Sequence, residues 1–109
     1  TVFSGKYSYS VKRGQVGNWG AMDILITLTT KDGKVNVNVV DDFADPESMG
    51  TGAIVGNTLT AKQHVEAKFD TRDITLILTN EKGFLKMVYD VDFTKSSPDF
   101  HIEGVLTKQ

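Results

Sequence analysis

Met22-Asp-Ile-Leu-Ile-Thr-Leu-Thr-Thr-Lys-Asp-Gly-Lys-Val-Asn-Val-Asn-Val39 decides the fold class. Met22, Ile24, Ile26 and Leu28 fall on one side of an extended chain, with Asp23, Leu25, Thr27 and Thr29 on the other. After Lys31-Asp-Gly33 the same period returns in Val35, Val37 and Val39. Period-two alternation marks a strand with one buried face. An Asp-Gly pair between two such runs marks a tight hairpin, because its central residues take positive φ.

The pattern extends in both directions from this hairpin. Phe3, Tyr7, Tyr9 and Val11 share a face opposite Ser4, Lys6, Ser8, Ser10 and Lys12. Residues 41–50 read as a loop, followed by a short strand over 51–55 that turns at Gly56-Asn57 into the longest alternation, 58–70, with Leu59, Ala61, Val65, Ala67 and Phe69 on one side. Ile74, Leu76 and Leu78 mark a sixth strand, and a turn at Asn80 to Gly83 follows. Leu85, Met87, Tyr89, Val91 and Phe93 mark a seventh, and Phe100, Ile102 and Leu106 an eighth. No segment carries a helical period. The expectation is one all-β domain over residues 1–109, an antiparallel eight-stranded meander closed into a barrel, with a two-sheet sandwich as the alternative. Gly5 and Gly104 occupy inward positions on the first and last strands, where closure demands sharp bending.

Composition narrows the function classes. The chain has 109 residues, 12 of them basic and 14 acidic, for a net charge of −2, which lacks the basic footprint of nucleic-acid binding. No apolar run is long enough for a membrane-spanning helix, so the expected domain is soluble. The absence of cysteine excludes disulfides and thiol chemistry. Thr1 in place of an initiating Met is compatible with export to the periplasm or cell exterior, and the composition leaves the compartment open. A nucleophile elbow, a phosphate-binding glycine loop and the common zinc motifs are missing, so a non-catalytic role without a cofactor is expected.

In a meander, alternate connections share an end. The tight turns after the second, fourth and sixth strands fall at one end, and the longer connections after the first, third and seventh fall at the other, which becomes an open mouth. Val16, Trp19, Phe43, Met49 and Arg72 belong to that mouth. Glycines at 14, 17 and 20 let the first connection fold inward, so that Trp19 caps the core or closes over a ligand. Gly17-Asn18-Trp19, in an eight-stranded meander of this size, resembles the G-x-W signature of the calycins, the lipocalin and avidin-like barrels. That resemblance implies a barrel with the tryptophan packed across one end and a small apolar ligand inside. Here a complete strand precedes the motif, whereas the family signature opens the first strand.

The ligand-contacting set expected from the sequence is Trp19, Phe43 and Met49 at the mouth, the inward Tyr7, Tyr9 and Tyr89, whose hydroxyls need partners when buried, and Gln63, the one plainly polar inward residue of the fifth strand. Asp41, Asp42, Asp45 and Glu47 supply four carboxylates in one loop, which without EF-hand spacing reads first as a solvated acidic loop and only weakly as a calcium-type set. His64 and His101 fall on outward faces. Outward apolar residues, Leu25, Ile77 and Val88 among them, would make a patch for a homodimer or a neighbouring domain if they cluster. A protein-interaction module is therefore the alternative to a small-ligand binder.

Overall fold

A computed structural model describes residues 3–15, 21–41, 44–66, 71–93 and 100–109, with the side chains of 41, 44–48 and 100 left aside. Among the described residues nine strands form one antiparallel sheet: β1 (Gly5–Val11), β2 (Met22–Lys31), β3 (Lys34–Asp41), β4 (Ala44–Val55), β5 (Thr58–Glu66), β6 (Thr71–Glu81), β7 (Phe84–Phe93), β8 (Phe100–Val105) and β9 (Thr107–Lys108). Each hairpin neighbour in the chain is a neighbour in the sheet, and the order runs β8-β7-β6-β5-β4-β3-β2-β1-β9. The turn between β2 and β3 has φ of 54° at Asp32 and 76° at Gly33, the paired positive values that match the right-handed twist of the flanking strands.

β8 and β9 are successive parts of one length of chain, so the two ends of the sheet meet. β8 pairs with β7 as far as Lys86↔Val105, and the Leu106 amide donates to the Leu85 carbonyl at 2.9 Å. β9 then lies against β1 through Tyr7↔Lys108 and Ser8↔Thr107, and the Gln109 amide donates to the Lys6 carbonyl at 2.8 Å. The result is a nearly closed barrel. A single continuous strand order replaces the two-sheet alternative, and the eighth strand expected from the sequence is divided at Leu106 because it serves two neighbours.

The seam has a side-chain component as well. Gly104 stands opposite Met87, and the Tyr9 ring lies over it: a Cβ at residue 104 would sit 2.6 Å from Tyr9 Cζ and 2.9 Å from its hydroxyl oxygen. The Tyr9 hydroxyl donates to the Glu103 carbonyl at 3.4 Å and accepts from Gln15 Nε2 at 2.6 Å. An aromatic ring on the first strand thus fills the space that a missing side chain leaves on the last.

One expectation is corrected on β4. Residues 41–50 do not form a loop: Asp41 ends β3, and β4 already begins at Ala44. Register shifts fall between Val37 and Asn38 and between Val39 and Asp41. The first leaves Met49 as the extra residue beside Gly50, whose φ is 72°; the second places Pro46 between the pairs Val39↔Glu47 and Asp41↔Ala44. A bulge is where a strand tolerates a proline without an N–H and a glycine with positive φ. Pro46 and Gly50, inside the stretch read as a loop, fall at the bulges of a long strand.

The interior is apolar. Its buried members include Tyr7, Ile24, Ile26, Val37, Met49, Leu59, Leu76, Met87, Tyr89 and Ile102, and among the described residues no polar or charged side chain is fully buried. At the hairpin-turn end Leu28, Val35, Leu78 and Leu85 close the core.

The seam generates a test. Gly104→Ala forces the Tyr9 ring aside and should destabilise the fold by about 1–3 kcal/mol, the usual cost of overpacking. Tyr9→Ala in the same chain removes the collision, so the double mutant should lose less than the sum of the two single losses in urea unfolding. Strict additivity would mean that the ring and residue 104 do not pack together.

Candidate functional site

β1, β3, β5 and β7 run toward the same end, which carries the connections 12–21, 42–43, 67–70 and 94–99. Here the inner wall becomes accessible. Along β5, Leu59 and Ala61 are buried at 0 % and 2 %, whereas Gln63 and Val65 are half-buried. Along β7, Met87, Tyr89 and Val91 are buried and Phe93 is half-buried. Arg72 on β6 pairs with Val65 on one side and Phe93 on the other, and falls on the same face of the strand as the buried Ile74, Leu76 and Leu78. Gln63 pairs with Ile74 one step below. The register therefore assembles one inner rim from Gln63, Val65, Arg72 and Phe93. Apolar surface from Val65 and Phe93 flanks a cation with planar hydrogen-bond donors and an amide with both donor and acceptor.

The remaining expected contact residues divide. Trp19 and Phe43 lie outside the described residues. Met49 is 2 % exposed in the core beside its bulge, not on the rim where the loop assignment placed it. Tyr7 is buried, and its hydroxyl donates to the Ser4 carbonyl at 3.0 Å. Tyr9 is committed to the seam, with its hydroxyl held by Gln15 and Glu103. Tyr89 is buried between Leu76 and Ile102 in register and is also engaged within the protein. Of the expected polar contacts, Gln63 is the one on the accessible inner rim. Val65 and Phe93 were legible as inward residues; only register with Arg72 shows that they share its rim.

The acidic set is dispersed along two strands instead of one loop: Asp41 belongs to β3, Asp45 and Glu47 to β4, and Asp42 lies outside the described residues. Among the described residues no group of three or more potential ligands is arranged to hold a metal ion.

Both histidines lie on the outer wall, as their alternation predicts, and each stands directly opposite an aspartate. His64↔Asp73 brings His64 Nδ1 to 2.6 Å from the Asp73 carboxylate, with Nε2 3.2 Å from Glu66. Asp90↔His101 repeats the arrangement: His101 Nδ1 bonds Asp90, and Nε2 lies 3.6 Å from Glu103. The shared H-x-E pattern, His64-Val-Glu66 and His101-Ile-Glu103, was visible in the sequence; the cross-strand aspartates were not. Hydrogen bonding to Asp73 and then Glu66 raises the His64 pKa above its ordinary 6.5, and bonding to Asp90 raises that of His101. These are solvent-facing ion pairs whose worth is reduced by screening.

Leu25, Ile77 and Val88 do not form one patch. Ile77 and Val88 are cross-strand partners on β6 and β7, whereas Leu25 pairs with Val40 and Ser8 on β1 to β3. In the strand order these pairs sit on opposite sides of the barrel.

A raised folded-state pKa contributes stability that is fully present below the unfolded value of about 6.5 and is lost as pH rises through the folded value. The expected outcome is an NMR titration in which both imidazoles titrate above 6.5, with Asp73→Asn returning His64 toward 6.5 and leaving His101 in place. An unshifted His64 in the unmodified chain would contradict the cross-strand pairing. Comparison with protein-family models, with curated proteins and with solved structures yields no significant match.

Proposed function

We propose that this protein is a non-catalytic binding barrel that takes a small, predominantly apolar ligand at its mouth. The observation that carries this is the change in accessibility along β5 and β7, from fully buried side chains to the half-buried Val65 and Phe93. Binding sites of this kind combine apolar wall with a few polar groups that orient the ligand, and Gln63 and Arg72 supply those groups here. The deeper inner wall, from Leu59 and Leu76 down to Leu85, is buried side chain, so the ligand seats against the rim. The meander order and the size of the chain agree with the calycin resemblance.

A second role is favoured by a separate observation. Ile54, Val55, Phe84 and Val105 are 43–79 % exposed and all lie at the hairpin-turn end of β4 to β8. Phe84 and Val105 are on the neighbouring β7 and β8 and Ile54 and Val55 are on β4, and exposed apolar side chains at one end of a barrel are material for a protein interface. A protein-interaction module would use that end and would leave the mouth empty.

The neutral dye Nile red separates the two. Its fluorescence should rise on binding to the protein, and Val65→Asp and Phe93→Asp should each weaken binding by about tenfold, since each places a charge against the dye. Ile54→Asp, at the opposite end, should leave the affinity unchanged. Dye binding lost in Ile54→Asp but kept in the mouth variants would transfer the binding surface to the hairpin end, and a mass that rises with concentration would then support the interaction module.

A further inference from the structure

We infer that the mouth half of β5 is a pairing edge for a second copy of this chain, the two β5 strands lying antiparallel about a two-fold axis at His64. The ladder between β4 and β5 is short: Val55↔Thr58, Ile54↔Leu59 and Ala53↔Thr60, all beside the Gly56-Asn57 turn. Beyond it β5 continues to Glu66 against β6, and the rest of β4 lies against β3. Leu59 packs onto Gly52 where the two strands part, since a Cβ at residue 52 would sit 2.8 Å from Leu59 Cγ. The bulge at Met49 and Gly50 follows, and a bulge bends its strand away.

The parting leaves main-chain groups on offer. The Asn80 amide donates to the Asn57 carbonyl at 2.8 Å, which sets the alternation along β5. Leu59, Ala61, Gln63 and Val65 bond to β6, whereas Thr58, Thr60, Lys62, His64 and Glu66 direct N–H and C=O to the other side. Thr58 and Thr60 meet β4 there; among the described residues no ladder partner stands opposite Lys62, His64 and Glu66. Proline and bulges usually blunt such an edge, and this stretch has neither, its register with β6 being unbroken.

Charge selects the occupant. A two-fold axis at His64 sets each His64 against its counterpart and Lys62 of each copy against Glu66 of the other, opposite charges at directly paired positions. The lysine that would deter a neutral strand is thereby matched. Each His64 ring is drawn 2.6 Å from Asp73 on β6, away from the axis, so the two imidazoles turn from one another.

Sedimentation equilibrium at neutral pH over a range of concentrations tests this. The mass should rise from 12.0 kDa toward twice that value, and the amides of Lys62, His64 and Glu66 should gain protection from hydrogen exchange in step with it. Lys62→Glu and Glu66→Lys each set like charges together and should weaken self-association about tenfold. An equimolar mixture of the two variants should restore it, because every facing pair is then opposite in charge, and so should both substitutions in one chain. Recovery on mixing separates a lost interface from a lost fold. A mass that stays at 12.0 kDa overturns the proposal and leaves the edge to a strand of another protein. Association indifferent to both charge variants overturns it as well, and its loss in Ile54→Asp would move the interface to the hairpin end.

Discussion

The short pairing of β9 with β1 is the constraint on which the rest of the structure depends. Eight hairpin-connected strands with one apolar face would otherwise leave two unpaired edges and an uncovered apolar surface, a combination that invites edge-to-edge association. Two residue pairs and the Gln109 amide bring the ends together, and Tyr9 over Gly104 fills the space beside them. Closure turns the apolar face inward all the way round. It also fixes what remains accessible: the sealed end bears the tight turns, and the other end bears the rim of Gln63, Val65, Arg72 and Phe93.

The same geometry accounts for the division of labour among the tyrosines and histidines. A hydroxyl inside an apolar barrel needs a partner, and Tyr7 finds the Ser4 carbonyl while Tyr9 finds the seam. These hydroxyls are committed within the protein, and in the proposed binding role the polar groups at the rim are Gln63 and Arg72. The histidines, excluded from the interior by alternation, find cross-strand carboxylates on the outer wall instead, where they set a pH dependence away from the inner rim.

Much of this was legible in the chain. Alternation alone placed Phe3 through Val11, Met22 through Leu28 and Leu85 through Phe93 on their correct faces, because a one-residue slip would expose an entire apolar set. The Asp32-Gly33 turn set the hairpin register. What was not legible depends on pairing between distant segments. Pro46 and Gly50 read as loop residues because a bulge is a property of two strands together. The division of the last strand at Leu106 follows from its two different neighbours, and no local pattern marks that point. Gln63, Val65 and Phe93 were read as inward and Arg72 as belonging to the mouth, but their grouping was not legible, because these residues are separated in sequence and become one rim only through register.

Closure is the claim most directly open to measurement, by amide hydrogen exchange followed in two-dimensional NMR spectra. The Gln109 amide should exchange slowly, together with the ladder amides of β1, since it donates to the Lys6 carbonyl in the closed barrel. A Gln109 amide that exchanges at the rate of a free chain end, with the outer side of β1 equally unprotected, would show an open sheet with two free edges and would contradict the account.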